Sequence, residues 1–140
     1  MTKLAFITCP KRKPYRDPHL LKMARGQQCL LNVPGVCNHN PETTVSCHSN
    51  LLIHGKGMSQ KAHDAYTAYG CSSCHVWLDQ GKASAEEKES VFMSGHARQK
   101  VNWWDTYMDK SAPKKDRESA KAALDFIEIQ ETEKQLEWVR

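Results

Sequence analysis

Two thiols, an imidazole and a carboxylate fall within Cys71-Ser72-Ser73-Cys74-His75-Val76-Trp77-Leu78-Asp79. A Cys-x-x-Cys pair can grip one metal ion from a single turn of chain. Zinc in a structural role takes four such ligands in a tetrahedron. Cys29 and Cys37 supply the two thiols that Cys71 and Cys74 lack. Their gap is long for a metal knuckle, but Pro34-Gly35 gives it a turn that can bring both thiols to one side. The bland alternative is four ordinary buried thiols, and it requires Cys29 and Cys37 to point apart. His75 and Asp79 are four residues apart, so on a helix they share a face. Such a pair can hold a divalent ion and leave positions open for water and a phosphate oxygen. Solvated helix faces carry the same pair often; anchoring of the helix start by the thiols adds weight here.

His48 is the candidate general base. Hydrolysis of a phosphodiester needs an activated water, charge on the phosphoryl oxygens and help for the leaving oxygen. An imidazole that titrates near neutrality can take the proton of the water, and a metal ion can serve the other two needs. Other chemistries fit less of the chain. Cys71-Ser72-Ser73-Cys74-His75 matches a c-type haem attachment text, but that reading leaves Cys29 and Cys37 without a role. A thioredoxin-like pair would need a βαβ context that is not apparent. The Gly55-Lys56-Gly57 stretch lacks the Ser or Thr of a phosphate-binding P-loop.

Several elements must position these groups. Asp17 can cap a short helix over His19–Arg25, with Pro18 in its first turn and Gly26 as its stop. Cys29 begins a strand that turns at Pro34-Gly35. Residues 38–42 read as loop, and Thr43–His48 as a strand with the histidine near its end. His54–Lys61 is a flexible basic loop. Asp64–Tyr69 returns as a strand, and a helix from Cys74 ends at Gly81. A long helix follows over Ala85–Lys110, broken at Gly95, with Val91, Phe92, Val101, Trp104 and Met108 turned to the core. Residues 111–116 are a linker, and Arg117–Arg140 a charged, peripheral helix with Leu124 and Ile127 as its apolar contacts.

Length and composition bound the rest. The chain has 140 residues, 39% of them hydrophobic, which suits one small domain with an appendage. The net charge of +4 permits a nucleic-acid partner without demanding one. Residues 1–18 combine three prolines with basic residues and read as an arm, with Cys9 a free thiol. No leader and no membrane-spanning run is visible, so a cytoplasmic location is expected. Six cysteines in such a reducing compartment favour metal chemistry over disulfides.

Taken together, these residues resemble a known family. Ala24-Arg25-Gly26, Cys29, Pro34-Gly35-Val36-Cys37-Asn38, Asn40-Pro41-Glu42-Thr43, His48, Lys61, Asp64, Cys71-x-Ser73-Cys74-His75 and Asp79 stand in the order seen in the YbcO family of small phage and prophage proteins. That family is regarded as zinc-containing nucleases. The wider likeness is to the His-Asn-His, or ββα-metal, endonucleases. The resemblance covers residues 16 to 81 and continues weakly to Lys110. It implies an α+β fold, with a small zinc-stapled ββα-metal core flanked by helices over residues 19–110. It also implies that His48 activates water and that Asp64 stands where the central asparagine orients it. Lys61 would contact the scissile phosphate, while His75 and Asp79 would bind the catalytic Mg2+, Mn2+ or Zn2+. Cys29, Cys37, Cys71 and Cys74 would hold the structural zinc.

The chain departs from the pattern in places. Cys47 precedes the base where many such nucleases carry a ligand, and Ser59-Gln60-Lys61-Ala62-His63 replaces a Gly-x-Lys-Pro loop. His54 and His63 are candidate substitute ligands. The expectation is therefore a metal-dependent DNA endonuclease in a bacterial cytoplasm, with a homodimer through the last helix as an option. The alternative is a non-catalytic zinc module that binds nucleic acid or a protein partner.

Overall fold

A computed structural model describes residues 13–139. Cys9 and most of the proposed basic arm lie outside the described residues. The elements are α1 (Pro18–Lys22), β1 (Val45–His48), β2 (Thr67–Gly70), α2 (Ser72–Gln80), α3 (Ala85–Met108) and α4 (Lys114–Val139). Short 3-10 turns occupy Pro41–Thr43 and Leu52–His54. The class is α+β, as expected.

β1 and β2 pair antiparallel, with Val45 opposite Gly70 and His48 opposite Thr67. A lone two-stranded sheet is marginal in water, so its outer edge needs partners. Helix α3 supplies them. Nδ1 of buried His96 donates to the Thr67 carbonyl at 2.8 Å, and Oε1 of buried Gln99 accepts from the Tyr69 amide at 2.9 Å. The amides of Leu30 and Leu31 donate to the Tyr69 carbonyl at 2.8 and 3.1 Å.

Several sequence expectations change here. No strand forms from Cys29: Asn32 adopts φ +44°, and the chain wraps around the thiols instead of extending. The return strand starts at Thr67, not at Asp64, because residues 64–66 form a turn closed by a Thr67 Oγ1 bond to the Asp64 carbonyl at 3.0 Å. Helix α3 runs unbroken through Gly95. A Cβ at that position would lie 2.9 Å from Leu31 Cδ2, so the glycine is a point of close approach and not a break. The buried face of α3 is Phe92, His96, Gln99 and Trp103, whereas Val101, Trp104 and Met108 are exposed. Half of the buried face is polar, so an apolar periodicity does not mark it.

Two apolar clusters divide the interior. The first packs Leu31, Val33, Cys47, Cys71, Cys74, Leu78 and Phe92 around the thiols. The second joins Leu20 of α1, Ala65, Tyr66 and Trp103 to Ala120, Ala123 and Ile127 of α4. Each large side chain buried there contributes about 1.5–3 kcal/mol. The last helix is therefore part of the core, not a peripheral strut. It also docks the end of the arm, since Phe126 packs on Tyr15 with ring centroids 4.6 Å apart.

Candidate functional site

Four sulfurs converge as the cysteine pattern predicts. The Sγ atoms of Cys29, Cys37, Cys71 and Cys74 all lie within 4.8 Å of one another. Cys37 and Cys71 are 3.9 Å apart, close to the roughly 3.8 Å edge of a tetrahedron with zinc–sulfur bonds of about 2.3 Å. Backbone amides point at the sulfurs. Asn32 N–H donates to Cys29 at 3.3 Å, Val33 N–H to Cys74 at 3.4 Å, and both Asn38 and Cys74 N–H to Cys71 at 3.4 Å. Such donors favour the thiolate at the sulfur they reach, but burial opposes them and pushes the Cys37 and Cys74 thiols up. Burial works to raise the Cys71 thiol, but the donated amides prevail and it falls to about 7. The four cysteines can thus hold one metal ion such as zinc. Cys71 also caps α2, its sulfur accepting from the Cys74 amide, so the cluster fixes the start of that helix.

Cys47 does not join them. It is fully buried against Leu31 in the first cluster, and burial pushes its thiol up. A Cβ on Gly70 would lie 2.7 Å from its sulfur, so the strand pair needs glycine there. His54 and His63 also stand outside the thiol cluster. The Nδ1 of His54 bonds the Ser49 hydroxyl at 2.6 Å, and its ring stacks on Tyr66 at 4.0 Å. Nδ1 of His63 accepts from the Tyr15 amide at 2.9 Å.

His48 ends β1, and its Nε2 lies 2.8 Å from Oδ1 of Asp64. Asp64 is almost wholly buried, and three groups hold it. Besides His48, the Asp17 amide donates to Oδ2 at 2.8 Å and Arg16 Nη1 to Oδ1 at 3.3 Å. Burial works to raise its carboxyl. The hydrogen bonds from His48 and the Asp17 amide outweigh this and hold it below the ordinary value. An ionised Asp64 accepts a proton-bearing Nε2, which leaves the imidazole lone pair on Nδ1. Nδ1 has no partner among the described residues and is not sealed from solvent.

His75 and Asp79 face each other across one turn of α2, Nε2 to Oδ2 at 3.1 Å. Asn50 Nδ2 donates to the other oxygen of Asp79 at 2.9 Å, which orients the carboxylate. A cleft beside Asp79 is lined by Asn50, Leu51, Leu78, Lys88 and Phe92. Lys61 is exposed, and its charge helps to lower Asp64.

Sequence reasoning missed Arg16 and Asn50. Arg16 also donates to the carbonyls of Ala62 at 2.6 Å and Lys61 at 2.9 Å. Residues 15–17, grouped by composition with the arm, thus fasten the turn that carries Asp64. Neither residue lies in a local motif, and each acts over a long sequence separation.

The sequence pattern of the family described as "Putative nuclease YbcO" matches residues 18–107. Two proteins of that name are each 38% identical over 87 residues, one from Escherichia coli (strain K12) and one from Enterobacteria phage 82. The aligned segment is 60% of this chain and 88% of each relative. A solved structure of a "putative bacteriophage protein" from Escherichia coli is 34% identical, covers 60% of this chain and 94% of its own, and superposes with a TM-score of 0.48. The family match runs from α1 almost to the end of α3 and takes in the thiol cluster and both His–Asp pairs. This chain belongs to the family described as "Putative nuclease YbcO".

Proposed function

We propose that the protein is a divalent-metal-dependent DNA endonuclease of the His-Asn-His type, with β1, β2 and α2 as its ββα-metal core and zinc on the four cysteines. The observation that carries this reading is the His48–Asp64 bond at the end of β1, with Asp64 held from three directions. An imidazole fixed in one tautomer with its lone pair towards solvent is suited to take a proton from an attacking water. Asp64 keeps the ring in place and stabilises the imidazolium that forms. Lys61 is available to a phosphate oxygen. His75 and Asp79 are the residues that would hold Mg2+, Mn2+ or Zn2+, with Asn50 orienting the carboxylate. A bound divalent ion would supply positive charge to the phosphoryl oxygens and to the departing oxygen.

Supercoiled plasmid, incubated with the protein and each of the three ions or with chelator, tests the reading. Nicking should require a divalent ion, be lost in His48→Ala, and in His75→Ala fall at low metal and recover as the ion is raised. Nicking that persists in His48→Ala overturns the base assignment. Plasmid binding with no nicking under any ion would leave the alternative, a zinc module that binds nucleic acid without turnover.

A further inference from the structure

The stretch from Ser49 to His63 contains Lys56 and Lys61 and no acidic residue. Three of its apolar side chains stand in water. Leu52 is 80% exposed, Ile53 62%, and Met58 fully. Exposed apolar side chains on a fraying loop need no explanation, but this backbone is pinned. Ser49 N–H donates to the Tyr66 carbonyl at 2.9 Å, and His63 N–H to the His54 carbonyl at 3.0 Å. The His54 ring stacks on Tyr66. Lys134 of α4 donates to the Ile53 carbonyl at 2.6 Å. Gly55 takes φ +94°, and a Cβ there would lie 2.8 Å from the His63 ring. Three apolar side chains are thus held out on a fixed frame, which costs free energy unless something covers them.

Their position says what covers them. The loop leaves β1 at His48, and Asn50 reaches Asp79. Leu52 follows Asn50 by two residues, at most about 7 Å along the chain. Lysines suit phosphates, and apolar side chains suit the space between bases, where Leu, Ile and Met act as wedges. A second copy fits less well, because a two-fold contact would set Lys56 and Lys61 near their own copies.

We infer that Leu52, Ile53 and Met58 form a wedge that enters the base stack of bound DNA beside the cleaved phosphate, giving the enzyme a preference for sites with unpaired or bulged bases. This inference rests on the proposed nuclease reading for its substrate. Pre-opened bases spare the cost of unstacking, which is where the preference comes from.

The test uses the full chain carrying His48→Ala, so that DNA is bound and not cut. The probes are a paired duplex and a one-base-bulge duplex, each labelled with 2-aminopurine, a base that brightens when unstacked. Binding should brighten the paired probe, and the combined Leu52→Ser, Ile53→Ser and Met58→Ser changes should abolish this. Those positions are exposed, so the melting temperature should stay unchanged. With His48 restored, the triple change should slow cutting of the paired duplex about tenfold and of the bulged one far less. A triple variant that brightens the probe like its parent overturns the wedge, even if plasmid is nicked normally. Brightening with no cutting by the intact chain would keep the wedge and sink the nuclease reading. Concentration-dependent dimers that vanish in the triple variant would assign the apolar tip to a second copy and overturn the wedge.

Discussion

The two His–Asp pairs are built from the same groups and stand in opposite surroundings. In His48–Asp64 the side chains are 18% and 2% exposed; in His75–Asp79 they are 42% and 41% exposed. The first pair joins residues far apart in sequence, and its carboxylate is held by β1, by the Asp17 amide and by Arg16. The second lies within one turn of α2, and Asn50 is the further residue that bonds its carboxylate. A base needs one tautomer and one orientation, which a buried, ionised partner imposes. Metal ligands need open coordination positions, which an exposed pair keeps. In the proposed mechanism, environment and not residue type divides the labour between the pairs.

Removing the imidazole that carries the lone pair should have the largest effect. His48→Ala should slow plasmid nicking by about 100- to 10,000-fold, read from single-turnover rates. Asp64→Asn keeps the size of the side chain but lets the ring turn over. Its rate should fall about 100-fold or more. The acid branch of stability should flatten too. The Asp64 carboxyl is held below its ordinary value, so its contribution is full above that value and is lost as pH falls through the lowered one. Urea melts of the variant and its parent across the acid range would show it.

His75→Ala and Asp79→Ala should weaken metal use about 10- to 100-fold. Unlike the first pair's variants, they should recover rate as the divalent ion is raised. A loss at Asp79 that no metal concentration restores would break the comparison, because it would make this pair orienting as well.

Smaller effects belong to the histidines that the site does not use. Burial pulls His54 down to about 3 and His96 to about 4 from an ordinary 6.5. The unfolded chain therefore binds these protons first. Stability should be full above pH 6.5 and decline on acidification towards pH 4, by on the order of 1 kcal/mol per histidine per pH unit. Thermal melts between pH 7 and pH 5 should show the slope, and His54→Phe, which keeps an aromatic ring against Tyr66, should reduce it.

The thiol cluster was legible in the chain because its information is local. Cys71 and Cys74 lie on one helical turn, and Pro34-Gly35 folds Cys37 back towards Cys29. The α2 pair was legible for the same reason, since a four-residue spacing on a helix settles its geometry. The short α1 followed from Asp17 and Pro18, whose capping roles act within three residues.

Tertiary structure alone decided the rest. Which face of α3 goes inward depends on the open edge of β2, because His96 and Gln99 are drawn inside by backbone groups no periodicity can reveal. Gly95 could be told from a helix break only once Leu31 was seen against it. Asp64 became a partner of His48 through a turn fastened by Arg16, 48 positions away in sequence. Local spacing determines what a short segment can bind, whereas long-range hydrogen bonds determine which of those groups is buried, oriented and able to move a proton.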